Sequence, residues 1–331
     1  MTGPHWLGIG AQRSGTSWLA KHMRRHPALW VTPVKELHYF DVRDRALQVA
    51  GPLQPIRMLV GRHYQEKRWR KHAIAALREH WPSPNRRRLR WDVRYLFGVR
   101  GDDWYCSLFD LAPAKRLPGE VTPAYAALDD DGVDAVARLV PDAKIIYLLR
   151  NPIDRVWSHL AHRSYMRGGG IGAIDEFLAS EDVAARTSYA ATLDRWEARF
   201  DSGQIFVGFL DDIARYPRKT LARVYQHIGV GPRVPHKVER RRVYSRADKT
   251  IPTDIAVGIA KRYQHEVEAI ARRVGGPALT WEAMTRRLID DPPAMAHLAH
   301  PLDPDQLGVA APQDLFSGPL QQMPREAGVF R

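Results

Sequence analysis

The sequence has a single cysteine and no long apolar segment, and both features exclude whole classes of protein. Cys106 has no second cysteine to pair with, which excludes an internal disulfide and any metal site built on a cysteine cluster. No apolar run approaches the ~20 residues that cross a bilayer. The first apolar segment begins close to Met1, so we expect no signal peptide. Together these features predict a cytoplasmic protein without a transmembrane segment.

Acidic residues are scarce relative to basic ones, which gives the 331 residues a net charge of +13. The excess is concentrated between residues 57 and 90, where eleven lysines and arginines stand against two glutamates. Such a basic segment attracts anionic polymers, acidic substrates or the anionic inner membrane surface, where peripheral contact fits the charge. A basic face that is simply solvated explains the same composition.

The most informative local pattern lies near the amino terminus. An apolar strand over residues 6–10 runs through a loop between Gly10 and Gly15 into an amphipathic helix. This arrangement directs backbone N–H groups to one point at the positive end of the helix dipole. The glycine spacing is that of a phosphate-binding loop, but Thr16 replaces the usual lysine and the cation, Arg13, lies inside the loop. The pattern predicts an anion cradle, and a glycine-rich turn without a ligand is the alternative.

Three chemically different polar residues follow a short second strand. Lys35, Glu36 and His38 place an ammonium, a carboxylate and an imidazole within four residues, and such groups can transfer protons. An ordinary surface turn with a Lys–Glu ion pair fits the same pattern.

A continuous apolar run over residues 144–149 predicts a central parallel strand covered on both faces. Arg150 follows it directly, at the end of the strand where ligands bind in open α/β sheets, and offers a fixed fork for phosphate. A salt bridge to a neighbouring loop is the other role open to Arg150. The alternation of strands and helices predicts an α/β fold, a P-loop-like three-layer domain with a central parallel sheet flanked by helices.

The chain divides into a main domain, residues 1–289, and an extension, residues 290–331. The domain contains a basic helical insertion over about 45–100, with a helix over 64–80 and irregular stretches at its prolines. Its three tryptophans (Trp69, Trp81 and Trp91) alternate with arginines, and we expect most of them to face the core, although stacking on sugars or nucleic acid fits the same pattern. The extension is rich in Pro, Ala and Gln, which predicts an irregular segment and a candidate surface for a homo-oligomer.

Four blocks in one order resemble the sulfotransferases that use 3′-phosphoadenosine 5′-phosphosulfate (PAPS), especially the heparan-sulfate-type and related bacterial enzymes. The blocks are Gln12–Ser17, Lys35–Asp41, Asp103–Tyr105 with Thr122–Tyr125, and Leu149–Pro152 through Arg155 and Ser158. Each block alone is weak, and the ordered set is specific.

The resemblance implies PAPS as the donor, 3′-phosphoadenosine 5′-phosphate (PAP) as its product, and no metal. The residues that would hold the 5′-phosphosulfate are Arg13, Ser14, Gly15, Thr16, Ser17 and Trp18. Those that would hold the 3′-phosphate are Arg150 and Ser158, and Arg246 and Lys249 lie in a loop that closes over the donor in relatives.

The resemblance also implies the catalytic roles. Glu36 matches the family's general base, and Lys35 and His38 are its neighbours. Arg13 takes the place of the family's lysine; it keeps the charge but stays ionised, so it would stabilise the leaving phosphate electrostatically.

The resemblance thus implies a sulfotransferase that moves the sulfuryl group from PAPS to a hydroxyl or amine by in-line transfer. The basic segment predicts an acceptor that is a glycan, a glycolipid or another small acidic molecule. Two other functions fit parts of the sequence. A P-loop small-molecule kinase is disfavoured by Thr16 and by the lack of a Mg²⁺-holding aspartate after residue 149. A nucleic-acid-binding module would use the basic segment alone.

Overall fold

The centre of the fold is a five-stranded sheet with the order β2-β3-β1-β4-β5. The computed structural model describes residues 3–41, 58–61, 64–81, 85–166, 174–235, 238 and 250–310. The strands are β1 Trp6–Gly10, β2 Leu29–Val31, β3 Leu117–Val121, β4 Lys144–Leu149 and β5 Ile205–Phe209. β1 pairs in parallel with β3 and β4, and β2 pairs in parallel with β3, which confirms the predicted α/β class.

Helices connect these strands and follow them. In chain order they are α1 Thr16–Arg25, α2 Tyr64–Ala75 (continued by a π-helical turn, Ala76–His80), α3 Arg86–Phe97, α4 Asp102–Ser107, α5 Asp130–Leu139, α6 Pro152–Met166, α7 Ile174–Ala179, α8 Glu181–Ala185, α9 Tyr189–Glu197, α10 Leu210–Arg215, α11 Pro217–Ile228, α12 Thr253–Val274 and α13 Pro277–Asp290. No helix within these described ranges is long and apolar enough to cross a membrane.

The chain forms two compact units. The first comprises Met1–Leu148, Thr192–Gly208 and Tyr216–Val243, and the second comprises Leu149–Ala191, Phe209–Arg215 and Tyr244–Arg331. In the second unit α12 packs against α13 and α6. A small antiparallel sheet in the same unit joins β6, Thr250–Pro252, to β7, His297–Ala299.

β1 occupies the middle of the large sheet because its sequence has no polar side chain. All five of its residues are buried, as expected of a parallel strand covered on both faces. Gly8 allows close packing, since a Cβ there would lie 3.0 Å from Val121 of β3. Because β1, β2 and β3 are parallel, the loops that follow Gly10, Val31 and Val121 open at the same edge of the sheet.

The insertion contains a second helix, α3, whose bounds the sequence did not predict. Asn85 caps this helix by accepting a hydrogen bond from the backbone N–H of Arg88 at 3.0 Å. Trp91 and Tyr95, one turn apart, are buried, and the arginines around them hid this apolar stripe.

The tryptophan prediction holds for two of the three residues. Trp69 and Trp91 are 4% and 1% exposed, and their indole N–H groups donate to the backbone oxygens of Leu96 and Leu108. Trp81 is partly exposed. The tryptophans of α2 and α3 therefore build the core.

A further difference lies in the second half of the chain. The helix α13 was not predicted. It begins with Pro277 after two glycines, a favourable helix start, and buries Trp281, Met284 and Leu288 at helical spacing.

The C-terminal extension contains short regular elements as far as the structure describes it. Besides β7, a 3₁₀ turn spans Asp305–Leu307. Residues 311–331 lie outside the described residues.

Candidate active site

The loop between β1 and α1 turns sharply at the edge of the sheet. The Ala11 N–H donates to the Leu148 carbonyl at 2.6 Å, which fixes the start of the loop against β4. Gly10 has no room for a side chain, because a Cβ would lie 2.7 Å from the Cβ of Ala126. Gly15 has a φ of 90°, a left-handed conformation that glycine adopts readily. The two glycines that bracket the loop therefore have steric reasons to be there.

The amino terminus of α1 is open to an anion. No side chain caps this helix, and its first turn contains no acidic residue. The first helical hydrogen bond runs from the Leu19 N–H to the Gly15 carbonyl, so the N–H groups of Thr16, Ser17 and Trp18 have no acceptor within the helix. The helix dipole makes this end favourable for negative charge.

Two buried side-chain oxygens in the loop support a ligand at this point. The Ser14 hydroxyl and the Gln12 Oε1 are buried and have no hydrogen-bond partner among the described residues. Ser14 is completely inaccessible to solvent. Buried polar atoms are nearly always satisfied, and a phosphate oxygen in the loop would accept a hydrogen bond from the Ser14 hydroxyl, whereas Gln12 Oε1, itself an acceptor, needs a donor.

Lys35 connects this loop with the segment of residues 35–41. Its ammonium donates to the Ser17 hydroxyl at 2.9 Å and forms an ion pair with Glu36 Oε1 at 2.8 Å. One cation thus contacts both the start of α1 and the carboxylate, so the predicted anion loop and the predicted proton-transfer residues are brought together within the first unit.

Glu36 also faces His38 and a residue of α2. Its Oε2 lies 3.6 Å from His38 Nε2 and 3.8 Å from a terminal nitrogen of Arg68. Arg68 additionally donates to the backbone oxygen of Lys35. The other imidazole nitrogen of His38, Nδ1, lies 2.6 Å from Asp41 Oδ2. The carboxylate is 25% exposed, which leaves one side of it open to a substrate.

These contacts set the protonation states. Burial raises the pKa of Glu36, but the neighbouring His38 imidazole and the charges of Lys35 and Arg68 outweigh burial and lower it to about 2. Burial lowers the pKa of His38, and the hydrogen bond with Asp41 and the nearby Glu36 carboxylate reverse this and raise it. Ionised Glu36 therefore stabilises the fold above its ordinary pKa of 4.5, and this contribution is lost as the pH falls towards 2. Protonated His38 stabilises the fold below 6.5, and its contribution is lost as the pH rises through the raised pKa.

The other predicted phosphate residues lie in the second unit. Arg150 is 7% exposed and donates to His300 Nε2 at 2.8 Å, while its carbonyl accepts from the Tyr189 hydroxyl at 2.9 Å. His300 belongs to the C-terminal extension. Ser158, on α6, is 3% exposed. Arg246 and Lys249 lie outside the described residues.

Sequence reasoning missed three residues of these clusters. Asp41 lies at the end of a segment already singled out, and its spacing of three from His38 was a usable signal. Arg68 was counted only as part of the basic segment, because nothing in a linear sequence places α2 beside Glu36. His300 carried no signal, since the extension was expected to be irregular. Trp18, predicted as a donor-binding residue, is buried and packs on the His22 ring at 4.5 Å.

Comparisons with known proteins give a family for the chain and related folds for its structure. A model of the sulfotransferase family matches residues 6–232. A sulfotransferase from Alicyclobacillus acidocaldarius superposes with a TM-score of 0.54 at 21% identity, covering 82% of this chain and 96% of that one. The sulfotransferase domain of the Synechococcus PCC 7002 olefin synthase gives 0.50 at 18%, covering 79% and 94%. At these identities the two structures support the fold alone. No curated protein matches the chain.

The Lys35 ion pair yields a testable pKa. In Lys35→Ala, Glu36 loses a neighbouring charge and a hydrogen bond, so its pKa should rise from about 2 towards the ordinary value of 4.5 or above. A carbon-13 NMR titration of the glutamate carboxyls, assigned with Glu36→Gln, measures this change. Lys67→Ala, an exposed position on α2, is the control. Loss of an ion pair typically raises a carboxyl pKa by about one pH unit or more. A Glu36 carboxyl whose pKa stays below about 3 in Lys35→Ala would show that Lys35 does not stabilise its charge.

Proposed function

The chain belongs to the sulfotransferase family and is an enzyme of sulfuryl transfer, and from this premise we propose that PAPS is its donor and Glu36 its general base. The observation that carries the proposal is the position of the Lys35 ammonium, which contacts both Ser17 in the anion loop and Glu36. A donor phosphate in that loop and an acceptor at Glu36 would share this cation.

We assign the donor's two ends to different residues. The 5′-phosphosulfate would be held by the loop: by the hydroxyls of Ser14 and Ser17, and by the backbone N–H groups of Gly15 to Trp18. The 3′-phosphate would be held by Arg150 and Ser158, and Arg246 and Lys249 would close over the donor. When bound, PAPS supplies the sulfuryl group and a phosphate leaving group. Arg13, whose φ of 72° is left-handed, would offset the negative charge that develops at that phosphate.

Glu36 would take the proton from the acceptor hydroxyl or amine. In the described contacts Lys35 and Arg68 make this carboxylate a weak base, since they help to hold its pKa at about 2. A phosphate in the loop would compete for the Lys35 ammonium, which relieves Glu36 of part of that charge and raises its basicity. Donor binding would thus prepare the base.

An arginine cleft beside β2 supports an anionic acceptor. This cleft, of about 420 Å³, is lined by Arg24, Arg87, Arg88, Arg116, Trp30 and Trp91 among others. Arg88 pairs with the buried Asp92 at 3.2 Å, whereas Arg87 and Arg116 have no ion-pair partner among the residues described here. Burial and the neighbouring Arg88 both lower the pKa of Arg24, so like charges converge in the cleft.

The cleft also lies in the right part of the chain for an acceptor. Its wall includes Pro33, which lies three residues before Glu36 in the chain. Pro33 follows β2, the outermost strand on one side of the sheet. We propose that carboxylate, sulfate or phosphate groups of a glycan, glycolipid or other acidic acceptor bind there. Arg87 and Arg88 come from the basic segment, and Arg24 and Arg116 come from outside it.

The base assignment predicts the behaviour of Glu36→Gln. With ³⁵S-labelled PAPS and a panel of acidic glycans and glycolipids, kcat should fall by about 10²–10⁴, because the acceptor proton has no carboxylate to receive it. The affinity for PAP, measured by calorimetry, should be retained or become tighter, because Lys35 loses its ion pair with the Glu36 carboxylate and becomes free to pair with the phosphate. Wild-type turnover in Glu36→Gln would refute the assignment.

The 3′-phosphate assignment is tested with a pair of ligands. Arg150→Ala should weaken PAP binding by about 10- to 100-fold, the value of a charged hydrogen bond. Binding of adenosine 5′-phosphate, which lacks the 3′-phosphate, should be unchanged in the same variant. An equal loss for both ligands, or no loss for either, would show that Arg150 does not read the 3′-phosphate.

The arginine cleft is tested by two charge-matched double variants. Arg87→Glu with Arg116→Glu should raise the acceptor KM about tenfold or more, because two cations that face the acceptor become anions. Arg86→Glu with Arg90→Glu changes the net charge equally at exposed positions outside the cleft and should leave KM within about twofold. Equal KM values in the two variants would remove the cleft from the acceptor site.

A further inference from the structure

Glu120, at the end of β3, is a buried carboxylate that the proposed chemistry does not use. It is completely inaccessible to solvent. In the described part of the chain its partners are four donors and no cation. These donors are the Thr122 hydroxyl at 2.5 Å, the Tyr105 hydroxyl at 2.7 Å, the Tyr125 hydroxyl at 3.0 Å and the Leu37 N–H at 3.1 Å. Burying a carboxylate without a cation is energetically unfavourable. The four donors therefore indicate where Glu120 has a role.

Two of these hydrogen bonds lead to the segment that bears Glu36. The Leu37 N–H binds Glu120 directly, and the Tyr39 N–H donates to the Tyr125 hydroxyl at 3.0 Å. The same hydroxyl donates to Glu120, so it bridges the carboxylate and the backbone of Tyr39. The residues that follow Glu36 and His38 in the chain are thereby both fixed by one carboxylate.

The backbone of this segment needs such fixing. Glu36 and His38 have φ values of 63° and 55°, in the left-handed region that costs a residue with a side chain free energy and persists only where surrounding contacts impose it. Residues in this region therefore alternate with residues whose N–H is held by the Glu120 network. Outside this segment, the described non-glycine residues with positive φ are Arg13 and Lys115.

We propose that Glu120 is a positioning residue of the reaction, acting through Tyr125 and the Leu37 N–H to hold Glu36 and His38 in their strained backbone conformations. The proposal rests on the proposed function of Glu36 as the base. Without the network, the segment relaxes to ordinary φ values and the two side chains turn away from their shared position.

Tyr105 provides a matched control for Tyr125. Both side chains are completely buried, and both hydroxyls donate to the same oxygen, Glu120 Oε1. The Tyr125 hydroxyl also accepts from the segment, whereas the Tyr105 hydroxyl has no hydrogen bond to it among the residues described. Replacement by phenylalanine removes one buried hydroxyl in each case and retains the ring.

The experiment compares Tyr125→Phe with Tyr105→Phe in the full chain. Both should lower Tm by similar amounts. The kcat of Tyr125→Phe should be about tenfold or more lower than the kcat of Tyr105→Phe, as expected when a catalytic group is misplaced. The Kd for PAP should stay within about twofold in both, because the anion loop is untouched. Equal kcat values in the two variants would overturn the proposal.

A double variant separates this proposal from the proposed function. If Tyr125 acts through Glu36, Tyr125→Phe should have no further effect on kcat in a Glu36→Gln background. If Tyr125→Phe lowers kcat by the same factor in the Glu36→Gln background as in the wild type, the positioning role is wrong. A wild-type kcat in the single variant Glu36→Gln would instead show that Glu36 is not the base. Glu120→Gln, which keeps the side-chain shape, is the second variant. It should lower kcat in the wild-type background and have no further effect on kcat in the Glu36→Gln background.

Discussion

The contact on which the candidate site depends is made by the Lys35 ammonium. It holds the Ser17 hydroxyl at the start of α1 and the Glu36 carboxylate at the same time, at 2.9 and 2.8 Å. Ser17 lies in the first turn of α1, which follows β1, and Glu36 lies in the segment that follows β2. The cation couples the loop between β1 and α1 to the Glu36 carboxylate, so an anion bound in the loop would change the pKa of Glu36.

The order of the strands makes this coupling possible. β3 lies between β1 and β2, and its last residues carry Glu120. From that central position one carboxylate reaches the segment after β2, while the loop after β1 opens beside it at the same edge. Strain is concentrated where the proposed chemistry takes place, since Arg13, Glu36 and His38 all have left-handed backbones. Buried hydrogen bonds in β3 and the residues after it offset the strain at Glu36 and His38.

The sequence was sufficient to predict what depends on local pattern. The bounds of β1 and β4, the glycine-bracketed loop between β1 and α1, and the grouping of Lys35, Glu36 and His38 follow from apolar runs, glycine spacing and residue chemistry within a few positions. What the sequence did not reveal depends on distant packing. Arg68 reaches Glu36 only because α2 folds against the 35–41 segment, and α3 was hidden by arginines around its buried stripe. Nothing local distinguishes Glu120 from a surface glutamate.

The most direct test of this account is a crystal structure of the chain with PAP. We expect the 5′-phosphate in the loop between β1 and α1, within hydrogen-bond distance of the Ser14 hydroxyl and the Gly15 to Ser17 N–H groups, with the Lys35 ammonium in contact with it. The 3′-phosphate should contact Arg150. A structure with PAP bound elsewhere, with the Ser14 hydroxyl still without a partner and the Lys35 ammonium still in contact with only Ser17 and Glu36, would contradict these assignments.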